Sequence, residues 1–492
     1  MTLTTLLLYV GIAAVMLTIL VPYLRGKVSN YLVSFLQNFA GSLFLFSGWV
    51  KAIDPLGTAY KMEQYFAEFE SAFSGTWFSF LAPLFPKLAE ASVGFAVFMI
   101  VFEMVLGLML ITGLLRKFTA WAFFLLVAFF TVLTGFTYLT GYVPEGVNFF
   151  AFSQWGPYVE TNMKVTDCGC FGDFIKLEPK VSFLKDVLLL VPAVIFLSFH
   201  RHMHQLFNAG TRWVLTALAT GGFIAYCLSN YQWNLPHMDF RPFKEGVDIA
   251  EQKALEEEAM ANIEVIGYKL TNKETGETLE LSFDDYMARF KEFPKANWEF
   301  EQIKTEPKIE PTKISDFSVE NGQGEVLTEE LLSQPGYTFL VVAHKLKGKR
   351  EGQEEVVVQD TAYVVDTLRD GNAERMVQRR LVSDRTELVD HYTWKPDYIQ
   401  RYTLHVNPVL EAARAAGHTV VAVTSLADNQ KIASFRKHSG SDYPFLEADD
   451  ILLKTIVRSN PGIVLMKHGK IVKKWHYSKL PAYEMIEAKH LQ

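Results

Sequence analysis

Residues 92–115 read SVGFAVFMIVFEMVLGLMLITGLL, 24 positions with a single charge, Glu103, near the middle. About 20 helical residues cross a hydrocarbon core, so this stretch is long enough to span a bilayer. Five more stretches match it: Leu3–Leu24, Tyr31–Lys51, Phe118–Tyr142, Ser182–Phe199 and Thr211–Ser229. The first has no basic start and no small-residue cleavage pattern before Pro22, so it is read as a retained helix rather than a signal peptide. Up to about residue 230 the chain is rich in Phe, Leu and Val; from about 236 onward Lys, Glu, Asp and Arg are mixed as on a soluble domain. Membrane lipid is therefore the first expected partner. The net charge of −7 is spread over two unlike parts, and no basic cluster points to nucleic acid.

Basic residues orient the spans. Arg25 and Lys27, then Arg116 and Lys117, then Arg201 and Arg212 fall in every second loop, which marks those loops as cytoplasmic. The alternate loops carry Asp54, Glu63, Glu68, Glu70 and Glu90, then Glu145, Glu160, Asp167, Asp173 and Glu178. The N-terminus, the second acidic loop and everything after Ser229 are expected on the outer, periplasmic side of a cytoplasmic (inner) membrane.

That second loop contains Asp167-Cys168-Gly169-Cys170-Phe171-Gly172-Asp173, with two of the three cysteines of the chain. Glycine lets the backbone turn sharply enough to bring two flanking sulfurs within bonding range. The small ring so formed is strained, and a strained disulfide is easily reduced. Three readings stand: a redox-exchanging pair, a fixed structural disulfide, or a metal site. The last needs further ligands, and His200, His202 and His204 are expected on the opposite side of the membrane as a mildly basic inner loop, so no metal is expected. Cys227, near the outer end of the sixth span, reads either as a buried small apolar side chain or as a resolving thiol.

Ionisable groups within spans are costly unless paired or hydrated. Glu103 lies in the third span, Lys51 ends the second, and Lys185 and Asp186 open the fifth. Contacts between helices would gather them beneath the cysteine loop, where they could carry protons released by thiol oxidation. The plainer reading makes Glu103 a helix-packing contact and lets Lys51 and Lys185 snorkel to the interface.

Phe46-Ser47-Gly48-Trp49-Val50-Lys51, Asp54-Pro55, Lys61-Met62 and Tyr65-Phe66 resemble the second-helix signature of the DoxX family. Glu103 with Gly107 and Gly113, Cys-Gly-Cys-Phe-Gly-Asp and Lys185-Asp186 resemble the related methylamine-utilisation protein MauE. The resemblance covers about residues 30–200. It implies a four-helix membrane core and a link to disulfide formation or quinone-coupled sulfur redox. Carried over by position, Cys168 and Cys170 are the redox pair, and Glu103, Lys51 and Asp186, with Asp167 and Asp173 beside the thiols, are supporting polar residues. Membrane disulfide generators of this kind generally use two cysteine pairs; this chain has one pair plus Cys227.

Beyond the sixth span, Ile249 to Ala261 reads as a charged stalk helix, and two β-rich runs around Asn272-Lys273-Glu274-Thr275-Gly276 read as a hairpin. Pro307 and Pro311 mark a linker. From about Ser315 the pattern is strand (Tyr337–Ala343), helix (Asp397–Gly417), strand (His418–Ser425), helices at Asn429–His438 and Asp450–Val457, then strands Ile463–Lys467 and Ile471–Trp475 about His468-Gly469, and a final helix. Alternation of this kind implies a sheet with helices on its faces. The pattern resembles a thioredoxin-like fold, with Asn460-Pro461-Gly462 in the place of that family's cis-proline. Ala343-His344-Lys345-Leu346 stands where Cys-x-x-Cys would be. No cysteine follows Cys227, so this domain cannot itself exchange disulfides. Lys347 to Pro396 reads as a charged, turn-rich insertion and His344 as a surface residue.

The expected fold class is an all-α polytopic membrane bundle of about six helices with a four-helix DoxX-like core, followed by a periplasmic α/β thioredoxin-like domain. Expected domains are 1–235, a stalk, hairpin and linker over 236–314, and 315–492. The expected function is thiol-disulfide oxidoreduction between periplasmic thiols and a membrane acceptor, with quinone implied by the resemblance. The client protein or thiol carrier would be held by an edge strand near Asn460 and Pro461. The alternative is a non-catalytic assembly scaffold whose outer domain binds partners.

Overall fold

The computed structural model describes residues 2–24, 28–165, 168–370, 373–425 and 427–491, with the side chains of all but 358–385 and 387. Arg25, Lys27 and Asp167, used above, lie outside the described residues. The chain divides into two compact units, Met1–Arg241 and Pro242–Gln492.

In the first unit the helices are α1 (Leu3–Leu20), α2 (Tyr31–Ile53), α3 (Pro55–Phe73), α4 (Leu84–Glu90), α5 (Ser92–Thr112), α6 (Arg116–Thr140), α7 (Pro179–Phe199) and α8 (Ala209–Leu228). Six of them, all but α3 and α4, are long and apolar enough to cross a membrane, and they coincide with the six apolar stretches. Their outward faces carry exposed Leu8, Ile12 and Met16 on α1 and Leu188 and Val191 on α7, as suits contact with lipid. The protein is a multipass membrane protein by this measure.

Local chemistry fixes the helix ends. The Asn30 side chain accepts from the Val33 N–H at 3.1 Å and caps α2. Gly113, at φ +71°, adopts the left-handed turn that stops α5. Where α2 meets α5 the backbones touch: a methyl added to Gly41 would lie 2.8 Å from the Gly107 carbonyl oxygen, and one added to Gly107 would lie 2.8 Å from that of Gly41. In lipid, where apolar burial gives helices no net attraction, such small-residue contact holds them together.

Two helices appear where a plain acidic loop was expected. Asp54 caps α3 through the Gly57 N–H, and Pro55 occupies its first turn. Met62, Tyr65, Phe66, Phe69 and Phe73 then recur at helical spacing, and Tyr65 is anchored to Thr137 on α6 by a 2.9 Å hydroxyl contact.

His204 is a correction as well. It is buried rather than part of a basic surface loop. Its Nε2 faces the Ile111 carbonyl at 2.9 Å and its Nδ1 faces Ser34 Oγ at 2.7 Å. A carbonyl only accepts, so the neutral ring carries its proton on Nε2 and the serine donates to Nδ1.

The second unit contains α9 (Ile249–Ala261), β1 (Val265–Asn272), β2 (Thr278–Ser282), α10 (Phe283–Arg289), β3 (Trp298–Lys304), α11 (Thr328–Leu332), β4 (Tyr337–Ala343), β5 (Gly348–Asp370), β6 (Ala373–Trp394), α12 (Pro396–Gln400), α13 (Asn407–Ala415), β7 (Thr419–Thr424), α14 (Asn429–Ser439), β8 (Phe445–Glu447), α15 (Asp450–Ile456), β9 (Gly462–Lys467), β10 (Lys470–His476) and α16 (Tyr483–His490). Its main sheet has the order β10-β9-β4-β7-β8. β4, β7 and β8 run parallel, while β9 and β10 form an antiparallel hairpin beside β4. Phe339 and Val341 join Tyr398, Leu410 and Phe435 in one core, and Leu340 and Val342 are buried on the opposite face. Burial on both faces explains the unbroken apolar run of β4.

Several expectations change. Lys347 to Pro396 is mostly one long antiparallel ribbon, β5 and β6, rather than a turn-rich insertion. The helix expected over 397–417 is broken into α12, a π-helical turn at Arg401–Val406, and α13. The expected stalk is part of this fold: the Gly246 N–H donates to the Ile471 carbonyl at 2.7 Å and the Ile471 N–H to the Val247 carbonyl at 2.8 Å. Glu320 pairs with Glu447 on the far side in both directions, at 2.9 and 2.7 Å. Each edge of the sheet thus carries a segment of the same chain. β3 adds a third strand to the expected hairpin.

Asn460–Pro461 is a cis bond, as its position suggested. Both residues are buried, and the strand they lead into is interior, so the edge expected near Pro461 is absent. Asn460 is instead used internally: its Nδ2 donates to the Lys345 carbonyl at 2.8 Å, and its Oδ1 accepts from Tyr398 at 3.2 Å. His344 is buried rather than on the surface, and burial together with Lys454, Lys347 and Arg458 pushes its imidazole down to about 3.

Candidate functional site

Residues 168–175 form a tight double turn that enters the bundle. Gly169 at φ +60° and Gly172 at φ +53° supply the left-handed positions, and the Gly172 N–H closes on the Gly169 carbonyl at 3.1 Å. Phe171 and Ile175, only 1% and 7% exposed, bridge one another and sink into the helix core. The Phe171 ring lies 6.4 Å from that of Phe46 on α2. Ser47, one position further along α2, donates to the Cys170 carbonyl at 2.8 Å. The sequence Phe46-Ser47 therefore grips the loop with one ring and one hydroxyl. The loop is plugged into the bundle by the burial of Phe171 and Ile175, whose apolar side chains leave water there.

Cys168 and Cys170 are half-buried and line a cavity of about 760 Å³ within the first unit. Lys51, Glu103, Lys185 and Asp186 line the same cavity. Lys51 Nζ lies 2.6 Å from Glu103 Oε2, and Lys185 pairs with Asp186 Oδ1. Thr134 on α6 donates to the other Asp186 oxygen at 3.0 Å. Lys51 Nζ is also 5.3 Å from the Phe130 ring centre, and Lys185 Nζ 5.9 Å from that of Phe171. These four charged residues are paired, and Lys61 on α3 adds a third cation to the lining. Neither Lys51 nor Lys185 snorkels outward: each finds its carboxylate within the bundle.

The electrostatics bear on the thiols. Burial pushes the Cys170 thiol above its usual range, Asp186 and Glu103 add to this, and Lys185 and Lys51 oppose it. Burial thus disfavours the Cys170 thiolate, and the ammonium of Lys185 is the foremost of the groups that favour it. The arrangement sets the cations of Lys185 and Lys51, which favour a thiolate at Cys170, against the burial that opposes it.

Glu103, Lys51, Asp186, Cys168 and Cys170 thus come together on one chamber. Asp173 is half-buried and does not line it. Cys227 is fully buried in a different cluster, with Ala52, Ile100 and Met104, and does not reach it either. Asn460 and Pro461 belong to the second unit. Sequence reasoning quoted Ser47, Lys61, Met62 and Tyr65 within the DoxX-like signature but gave them no role at the site, where Ser47 is bonded to the loop and the three α3 residues form part of the wall, and it missed Thr134 altogether. The helical spacing from Met62 to Phe73 carries the signal for that wall. Lys61 is close enough that its Cγ would lie 3.4 Å from a methyl placed on Gly169.

No protein-family model matches the chain, and no curated protein or solved structure matches it either.

Proposed function

We propose that this chain is a membrane-embedded thiol-disulfide redox protein in which Cys168 and Cys170 pass electrons between external thiols and a membrane acceptor, a quinone. The observation that carries this reading is the shared chamber: both thiols and two buried ion pairs face one cavity inside a membrane bundle. In the step, both S–H bonds break and one S–S bond forms. The two electrons and two protons pass to the quinone, which leaves as quinol. A client dithiol then attacks the new disulfide through one of the two sulfurs and leaves as a client disulfide, which returns Cys168 and Cys170 to the dithiol and completes the cycle.

The DoxX and MauE resemblance supports the same reading, as does the basic-residue pattern that puts the loop and the second unit in the periplasm. The second unit reads as a thioredoxin-like domain. Its support is a central parallel pair β4 and β7, the β9–β10 hairpin, and Ala343-His344-Lys345-Leu346 at the end of β4. Without cysteines, its role is client binding rather than exchange.

Thiol trapping in intact cells tests the proposal. A relay gives a mixture of reduced and oxidised Cys168–Cys170 that shifts when respiration is blocked, and Cys170→Ala captures a client through Cys168 as a mixed disulfide. The burial of Phe171 and Ile175 favours a second reading, a scaffold whose loop is permanently cross-linked. A pair that stays oxidised under every condition, with no captured client, decides for the scaffold.

A further inference from the structure

The cavity continues past the charged chamber. Along α6 it is lined by Phe118, Trp121, Leu125, Phe129 and Leu133, with intervening partners at the same helical spacing. From Phe118 to Thr134 this stripe covers 16 helical steps, about 24 Å at 1.5 Å per residue. Its two ends differ in chemistry. Lys51, Glu103, Lys185 and Asp186 lie at the cysteine end, whereas the far end is entirely apolar. The side toward lipid is open: Phe118, Trp121, Leu125 and Phe129 are each more than half exposed. α5 and α6 follow one another in the chain yet pack mainly against α2 and α7 respectively, which leaves this slot between them.

We infer that the acceptor is an amphiphile with a polar ring and a long apolar tail, that it enters sideways between α5 and α6, and that the tail lies along the α6 stripe while the ring reaches the thiols. This rests on the redox reading above, which already takes a quinone as acceptor, and adds to it the need for an apolar tail and the route of entry. A water-soluble acceptor would need no such groove. A bilayer phospholipid would place its acyl chain there, but would leave the paired charges beside the thiols with nothing to receive electrons.

The full chain in lipid nanodiscs, with reduced cysteines, is assayed with 2,3-dimethoxy-5-methyl-1,4-benzoquinone and with its 6-decyl derivative. Tail-bearing quinone concentrates in lipid whatever the protein does, so the readout is the ratio of the second-order rate constants for single-turnover oxidation of the reduced pair by the two acceptors, compared across variants. Leu125→Trp and Ala122→Phe fill the slot, and each is expected to lower the decyl to tail-less ratio at least fivefold. Leu218→Trp adds the same bulk to the exposed face of α8, away from the cavity, and is expected to keep the wild-type ratio. Size-exclusion profiles matching wild type show that the variants fold, and Leu125→Ala, which opens the slot, serves if the larger side chains do not. Both quinones reduced with an unchanged ratio in the slot variants overturns the groove and leaves the redox reading intact. Neither quinone reduced overturns both. Phospholipid as the sole extractable occupant, with an unchanged ratio, identifies the slot as an ordinary lipid site.

Discussion

Lys51 Nζ sits 2.6 Å from Glu103 Oε2, joining the end of α2 to the middle of α5 with both side chains nearly closed to solvent. Two charges drawn from water are held in place by each other, and removing one strands its partner. Glu103→Gln and Lys51→Met are each expected to cost about 3–5 kcal/mol in thermal or denaturant unfolding of the full chain in detergent. The double variant Lys51→Met with Glu103→Leu should cost clearly less than the sum. Additive losses would show that the pair is not coupled.

The contact between Gly41 and Gly107 sets how closely those two helices approach. Gly107→Val forces side-chain bulk onto a carbonyl, and is expected to destabilise by about 1–3 kcal/mol. An exposed glycine with open space around it, Gly94, is the control, with little effect expected from Gly94→Ala. Equal melting temperatures for the two variants would argue against this packing.

Cys170 should alkylate slowly at neutral pH, because burial holds its thiol above the ordinary range, and each unit of upward shift lowers the thiolate fraction about tenfold. Lys185→Met removes the cation with the largest opposing effect and is expected to slow the reaction further. Lys185→Arg should restore much of it. The rate of iodoacetamide labelling against pH, in a Cys168→Ser and Cys227→Ser background, reads this directly. An unchanged profile in Lys185→Met would remove Lys185 from any role at the sulfur.

His344 is held at about 3 by burial and nearby cations. Its unfolded value is near 6.5, so the unfolded chain binds the proton first. Its contribution to stability is complete above about pH 6.5 and is lost as pH falls toward 3, at roughly 1 kcal/mol per unit. His344→Gln is expected to flatten the acid limb of the stability profile, followed by urea unfolding of the full chain between pH 4 and 8. The same steepness in the variant would mean other groups dominate; His476, pushed down to about 4 mainly by burial, is the next candidate.

The spans were legible because length and apolar content alone specify them, and each of the six was found close to its observed ends. The α3 and α4 helices were hidden because their polar residues, Lys61, Glu63, Glu68 and Glu70 among them, lower the average that reveals a span. Their signal lies in spacing instead. The long β5–β6 ribbon was hidden for a related reason: charged residues such as Lys349, Arg350, Glu354 and Glu355 read as loop, and pairing with a distant strand is invisible in a single run. At the site, the charged residues stood out in an apolar background, so Glu103, Lys51 and Asp186 were nameable. Ser47 and Thr134 are ordinary residues in spans, and only their partners give them meaning.

The strips laid along β8 and β10 have a consequence for how the second unit meets other molecules. An extended peptide cannot simply add itself to this sheet; it must first peel away Glu320 or the run from Gly246 to Ile249. Recognition by backbone alone is thereby closed off at both borders. A partner meeting this sheet with those strips in place would have to be read by side chains, where discrimination between one visitor and another is finest.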